Sequence, residues 1–507
     1  MQKASVIDLG SNSVKLVNFH IDFDNSYKPY RQEGIRTKLG EGLSETGFLG
    51  ESQMQQTIDA LKLYRDIIEY DEIHHVLPVA TSAVREAANN REFLEEIFNQ
   101  TGFHFRILSD EEEALYSYVG AIRSLRLPSV LFFDIGGGSL EIVYTENFEI
   151  KNILSLPLGA LRLTQMFADK KSTFSSKSYE KMQMRILELL PSINEIKMED
   201  DTVLVGVGGT LRTIAKYDQV LHNYPLNKVH NYRIKTNSIN LISEKLFSLK
   251  PEKISKIDSI SSARSETITA GACVINLLAQ KLGFKEIVVS AQGLREGTLS
   301  ISLEFPKEFS AGTILHTEQI QNSSKFACEP DVLSPYIEDL VRSMISMGEL
   351  SEKDRIILAQ SLRYMSKFTS FRNLDNLLHL VLDEDSSLSH KQQIISALSI
   401  IYSKKRRKSE KLFDKYESLL KQQDKKLIRK LSVLTTICDI LEKTETNSKI
   451  KVTNNQINME LFVNNSTFPK LLFKESCAKF SDAFGINLKY TINSDKESSF
   501  DSHPIKV

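Results

Sequence analysis

Apolar and polar positions change period along the chain. Val17, Phe19 and Ile21 alternate with Asn18, His20 and Asp22, the period-two pattern of a half-buried strand. Glu51 to Tyr70 reads as an amphipathic helix, with Ile58, Leu61, Ile67 and Ile68 on its apolar side. A strand is predicted over 103–108. Ser109-Asp110-Glu111-Glu112 then forms a capping-box sequence that opens a helix through about Ser124. Residues 126–302 run through a similar succession, with a strand, an Asp-Gly turn, helices, a second glycine turn and a late strand over 287–290. This is an α/β pattern with two similar halves. After about residue 305 glycine becomes rare, and helical patterns rich in Leu, Ile, Lys and Ser run to about 443. Two short strands over 449–463, a helix over 469–484 and a strand over 486–492 close the chain. The predicted architecture is therefore two α/β lobes (1–125 and 126–302), a helical domain (303–443) and a small α+β tail (444–507).

Composition narrows this picture without redirecting it. A chain of 507 residues exceeds one hydrophobic core. Apolar content of 41%, charged content of 25% and a net charge of −1 are ordinary for a globular protein. No run approaches the roughly 18 apolar residues of a membrane span, and the first residues enter a strand without a signal-peptide layout. The four cysteines (Cys273, Cys328, Cys438, Cys477) lie far apart with no Cys-x-x-Cys, which speaks against a zinc site or a disulfide scaffold. The expected location is the cytoplasm.

Chemistry concentrates in three glycine turns. Asp8-Leu9-Gly10-Ser11-Asn12-Ser13 follows Val6-Ile7, and Asp134-Ile135-Gly136-Gly137-Gly138-Ser139 follows the apolar run 130–133. Each puts an acid at the end of a strand and then glycine and hydroxyl residues. Glycines let backbone N–H groups turn toward an anion, and the aspartate can hold a divalent cation that neutralises phosphate charge. Either turn alone could be an ordinary β-turn, in which Asp and Gly are locally favoured. A third turn, Val205-Gly206-Val207-Gly208-Gly209-Thr210, makes two lobes closing on one phosphate chain the better reading. None of the three fits the Gly-x-Gly-x-x-Gly dinucleotide fingerprint.

Other residues have two readings each. Glu111, Glu112 and Glu113 complement the dipole of the helix they open, or one of them orients a water for attack on phosphorus; the residues alone do not choose among the three. Glu141 is either a solvated strand residue or a second carboxylate near the metal. Arg85 and Arg295 are surface charges or phosphate clamps, a task suited to a guanidinium. Residues 401–430 hold 12 basic and 4 acidic side chains. That cluster, with Lys404, Lys405, Arg406 and Arg407 at its start, is a solvated helix face or an electrostatic track for a long polyanion.

Six motifs occur in the order seen in the exopolyphosphatase/guanosine pentaphosphate phosphohydrolase family: 8–13, 80–87, Glu112-Glu113-Ala114, 134–141, 206–210 and 290–297. The chain resembles that family densely over about 1–302 and more thinly beyond. The resemblance implies an actin-like architecture, two ribonuclease-H-like lobes with an interlobe cleft, and metal-dependent, processive removal of a terminal phosphoryl group. It implies Glu113 as the catalytic glutamate and Arg85 as an arginine clamp. It implies Asp134 and Glu141 as metal ligands for Mg²⁺, with K⁺ a second candidate. The phosphate loops it implies are Asp8, Gly10, Ser11, Asn12 and Ser13; Gly136, Gly137, Gly138 and Ser139; and Gly208, Gly209 and Thr210. The substrate would be inorganic polyphosphate or, alternatively, guanosine pentaphosphate, the acting form a homodimer, with no membrane and no specific nucleic acid as partners. A non-catalytic binder of polyphosphate or alarmone, and an ATP-binding kinase or regulator on the same scaffold, are rivals of another class. Long members of the family carry a domain related to His-Asp metal phosphohydrolases. This chain has no His-Asp dipeptide, and His379 and His390 lack acid partners at ligand spacing, so a domain of that fold is expected without a metal.

Overall fold

A computed structural model describes residues 2–23, 25–190, 196–313, 319, 333–368, 374–453, 456–463 and 468–494. Two compact units divide the chain: residues 1–328 with 385–387, and residues 329–384 with 388–507.

The first unit holds two sheets. Strands β1 (Gln2–Leu9), β2 (Ser13–Ile21), β3 (Tyr27–Arg36), β4 (His75–Ala80) and β5 (Arg106–Ile107) form a sheet ordered β3-β2-β1-β4-β5. Strands β6 (Val130–Ile135), β7 (Leu140–Glu146), β8 (Glu149–Leu156), β9 (Val203–Val207), β10 (Tyr232–Lys235) and β11 (Glu286–Val289) form the other, ordered β10-β11-β9-β6-β7-β8. In both sheets the first three strands are an antiparallel meander, and parallel strands extend the sheet from the first of them. The two α/β halves are thus one topology used twice, with β10 added at an edge. Each sheet buries its own apolar cluster, Leu9, Leu16, Leu61 and Tyr64 in the first and Phe133, Ile142, Leu204 and Ile275 in the second.

Several sequence expectations match closely. The Glu51–Tyr70 helix has the predicted bounds, with Ile58, Leu61 and Ile68 buried and Ile67 half-buried. The Asp110–Leu125 helix opens on a full Ser109–Glu112 capping box. The strand expected over 103–108 shrinks to β5, because its parallel pairing reaches only Val79 and Ala80 before Ser109 caps the next helix. Asn18, which alternation placed on a polar face, is buried. Ser5 Oγ donates to its Oδ1 at 2.8 Å and its Nδ2 donates to Asp71 Oδ2 at 2.8 Å.

In the second unit, helices lead to the hairpin of β12 (Asn447–Thr453) and β13 (Gln456–Val463) and to β14 (Asn487–Ser494), parallel to β13. The Lys470–Phe484 helix buries Phe473, Phe480 and Phe484. Lys404, Lys405, Arg406 and Arg407 are exposed where the His390–Lys404 helix gives way to the Arg406–Lys415 helix. Cys273, Cys438 and Cys477 are free and buried; Cys328 lies outside the described residues. Among the described residues no helix is long and apolar enough to cross a membrane.

One crossing fixes where the first unit's chemistry sits. The Asp110–Leu125 helix packs against the Leu294–Glu304 helix with backbone nearly touching backbone. A Cβ on Gly297 would overlap the Tyr116 carbonyl oxygen, and one on Gly120 would overlap the Gly293 carbonyl. Overpacking of this kind costs about 1–3 kcal/mol, and here the obstacle is backbone. Gly297→Ala should therefore lower stability by at least about 2 kcal/mol, read as a fall in urea midpoint with an unchanged m-value. A variant as stable as the native chain would show that the helices can separate freely.

Candidate active site

The two repeated hairpins face each other across the cleft. Asp8 opposes Lys15 in the β1–β2 register, and Asp134 opposes Glu141 in the β6–β7 register. Gly10 N–H bonds the Ser13 carbonyl at 3.2 Å, and Gly136 N–H bonds the Ser139 carbonyl at 3.0 Å, so the two turns are built alike.

Their carbonyls are tied back into the protein. Ser11 O accepts from Gly40 N–H at 2.7 Å, and Asn12 O from Thr37 and Lys38. Gly136 O accepts from Ala160 N–H, Gly137 O from Leu161 and Arg162, and Gly138 O from Gly159 N–H and, at 2.8 Å, Arg162 Nε. These carbonyls are thus engaged by the protein, and glycine turns of this kind can offer their remaining backbone N–H groups to an anion. The third turn adds a helix N-terminus. Gly208 has φ of 108°, which a side chain rarely adopts, and it caps the Gly209–Leu221 helix.

These elements enclose a cavity of about 120 Å³. Asp8, Gly10, Ser11, Asn12 and Ser13, then Gly136, Gly137 and Ser139, then Gly208, Gly209 and Thr210 all line it, with Glu113, Asp134 and Glu141. Gly138 instead faces a smaller adjoining space beside Ser82. A groove of about 1580 Å³ opens outside and shares Leu161 and Thr267 with the inner cavity.

The structure separates the three glutamates. Glu111 is exposed. Glu112 accepts from Ser109 N–H at 3.0 Å and pairs with Arg106, so it is used for capping. Glu113 faces the cavity, and Arg85 Nη1 donates to its Oε2 at 3.0 Å. Arg85 also bonds the Leu108 carbonyl at 2.7 Å and Asp110. Its guanidinium is thus occupied in holding Glu113, and Arg85 is not among the residues lining the cavity.

Burial pushes the Glu113 carboxyl up to about 7, against the pull of Arg85 and with the help of Asp134 and Asp8. Burial likewise raises Asp134, opposed by the Ser117 hydrogen bond, and raises Glu141 well above its usual range, with Glu113 and Asp134 adding to the effect. Glu141 is buried, and its Oε1 has no hydrogen-bond partner among the described residues. Like charges directly opposite in an antiparallel pair repel, so the Asp134–Glu141 pair is suited to a divalent cation. Among the described residues no group of three or more His, Cys, Asp or Glu gathers as a metal cage.

Four cations also line the cavity: Lys15, Arg212, Arg264 and Arg295. Burial, with Arg295 and Arg264, lowers Arg212 to about 10, and Arg212 Nη1 donates to the Ala291 carbonyl at 3.0 Å. Asp8 pulls Lys15 up at 3.5 Å, but burial and the arginines outweigh it and lower it. Sequence reading weighed Arg295 and missed the other three. Lys15 stands seven residues after Asp8, as Glu141 does after Asp134, and Arg212 stands in the first turn of the helix that Gly208 caps; both spacings were readable signals. Arg264 has none, since the long segment between it and Gly209 hides that a Cβ on Gly209 would collide with its guanidinium.

Folding raises the Glu113 pKa, so the folded state holds a proton that the unfolded chain releases. That stability is complete below the ordinary carboxylate range and is lost as pH rises through about 7. Glu113→Gln, which cannot ionise, should raise Tm at pH 8 in the absence of added ligands and leave it nearly unchanged at pH 4. A variant with a lower Tm at pH 8 would mean that Arg85 more than compensates the buried charge.

The chain is similar to several known proteins. It is 28% identical over 295 residues to a bifunctional 3-dehydroquinate synthase/phosphatase of Fusobacterium nucleatum, covering 56% of this chain and 44% of that protein. It is 25% identical over 320 residues to exopolyphosphatase 2 of Mycobacterium tuberculosis, covering 60% of this chain and 99% of that one. It is 27% identical over 303 residues to the guanosine-5'-triphosphate,3'-diphosphate pyrophosphatase of Vibrio vulnificus, covering 58% of each. Thus the chain spans less than two thirds of the first and third of these relatives and nearly all of the second. The crystal structure of an exopolyphosphatase from Cytophaga hutchinsonii superposes with a TM-score of 0.56 at 25% identity, covering 60% of this chain and 98% of that one. The two lobes are therefore the actin-like pair found in these proteins. The family model described as the Ppx/GppA phosphatase family matches residues 24–304, more than half of the chain, and the protein belongs to that family.

Proposed function

We propose that this chain is an exopolyphosphatase that removes the terminal phosphoryl group of inorganic polyphosphate, with Glu113 as the base. The observation that carries the reading is one small cavity lined by a carboxyl poised near 7, three glycine turns and four cations. The cavity of about 120 Å³ suits the end of a phosphate chain, and the remainder can extend into the outer groove. Among the described residues no aromatic side chain lines either space. A nucleobase would find no stacking surface there, which favours a chain of phosphates over a nucleotide. The relative named exopolyphosphatase 2 agrees with this reading, and the one named for a guanosine nucleotide is the reason to test both substrates.

In the proposed reaction a water attacks the terminal phosphorus, the bridging P–O bond breaks, and the shortened chain leaves with that oxygen. The proton of the water passes to Glu113, which Arg85 holds in place. Charge spreading over the transferring group is taken up by the turn N–H groups and by Lys15, Arg212, Arg264 and Arg295. Asp134 and Glu141 are the residues that would hold Mg²⁺, whose charge would neutralise negative charge on the phosphoryl group when bound. A base near 7 predicts activity that rises with pH through neutrality.

Phosphate release with Mg²⁺ from long-chain polyphosphate and from guanosine pentaphosphate, measured side by side, tests the reading. Polyphosphate should be cleaved faster, and Glu113→Gln should lose roughly 10²–10⁴-fold in rate. Faster release from the nucleotide would make the chain an alarmone phosphohydrolase, and turnover by the variant at the native rate would remove Glu113 from the scheme.

The exposed segment Lys404, Lys405, Arg406 and Arg407 supports the same reading as an electrostatic track for a long polyanion. Changing all four to Gln should weaken binding of long polyphosphate, flatten its salt dependence and leave tripolyphosphate hydrolysis unchanged. Equal affinity for long chains in the quadruple variant would return the segment to a solvated helix face.

A further inference from the structure

The repeated hairpins differ at the position opposite the aspartate, and that difference leaves Asp134 in need of a partner. In the first hairpin, Asp8 Oδ2 has Lys15 Nζ at 3.5 Å from the opposed strand position. In the second, the opposed position is Glu141, whose carboxylate cannot donate when ionised. A donor comes instead from another element. Ser117 Oγ donates to Asp134 Oδ2 at 2.9 Å.

Three observations make this contact more than a buried hydroxyl finding an acceptor. A serine inside a helix commonly bonds the carbonyl four residues back, as Ser361 and Ser399 do here at 2.7 Å. Ser117 donates across to a strand instead. It stands one turn after Glu113 on the same face of the Asp110–Leu125 helix, so the bond links the element carrying the base to the strand carrying the acid. The bond also distinguishes the two oxygens of Asp134. With Oδ2 held by Ser117, Oδ1 lies 3.2 Å from where a Gly208 Cβ would stand, turned toward the third glycine turn at the cavity wall.

We propose that Ser117 is a positioning residue for Asp134. Its hydroxyl immobilises one carboxylate oxygen and presents the other toward the metal and phosphate. The inference rests on the reading of Asp134 as an Mg²⁺ ligand. Partners that orient a ligating carboxylate typically change metal affinity or activity by about 10–100-fold when removed.

The test uses the full chain, with Mn²⁺ as a paramagnetic probe and steady-state kinetics on polyphosphate. Ser117→Ala should weaken Mn²⁺ binding about tenfold and lower kcat by a similar factor, with KM within about twofold. Ser117→Thr, which keeps the hydroxyl, should restore both. A purely structural hydroxyl would lower Tm in Ser117→Ala and leave Mn²⁺ affinity and kcat at native values, which would overturn the proposal. So would a folded Ser117→Thr chain as impaired as the alanine variant. The hydrolase reading fails separately: a native chain that releases phosphate from neither substrate overturns that reading, while the Mn²⁺ affinities of the native, Ala and Thr chains still decide the role of Ser117.

Discussion

The site depends on two helices that cross backbone against backbone at glycines. Gly120, Gly293 and Gly297 bring the Asp110–Leu125 and Leu294–Glu304 helices into backbone contact. The first helix carries Glu113 at its start and Ser117 one turn later, and the second carries Arg295. The first is also buried almost all round, from Glu112 to Ile122. Interiors are packed densely and resist displacement, so a helix seated this way can hold a carboxylate in place against two strands.

That rigidity is set against an electrostatic cost. Asp8, Glu113, Asp134 and Glu141 share a small cavity with Lys15, Arg212, Arg264 and Arg295. Apart from Asp8 and Lys15, the unlike charges here do not simply pair and cancel. Arg85 serves Glu113 from outside the cavity, whereas the acids raise one another and the arginines lower one another. Buried charge without full compensation is unfavourable, and such groups gather where function needs them. A polyanion and a divalent cation arriving together would relieve both halves, which gives the strain a purpose that folding alone does not.

The repeat shows how one frame serves different chemistry. Both hairpins tie their turn carbonyls back into the protein. At the position opposite the aspartate one hairpin carries Lys15 and the other Glu141. The first choice neutralises its acid within the hairpin. The second doubles the negative charge, and a neighbouring helix supplies the hydroxyl that keeps the acid oriented.

Much of this was legible in the chain itself. Period-two and helical patterns, the Ser109–Glu112 capping box and the three Asp-Gly or Gly-Gly turns are local features. Local spacing determines strand ends, helix starts and where glycine turns fall, so the two-lobed α/β plan and the positions of the three turns could be read directly. Which of Glu111, Glu112 and Glu113 meets the cavity could not be read from spacing, because all three lie within one helical turn; the family resemblance pointed to Glu113, and Arg106, Arg85 and the cavity distinguish the three in the fold. Tertiary structure alone also brought Arg264 behind Gly209 and engaged Arg85 with Glu113. It alone joined Ser117 to Asp134. These relations link residues far apart in sequence or on different elements, and no periodicity encodes a contact made by packing one element on another.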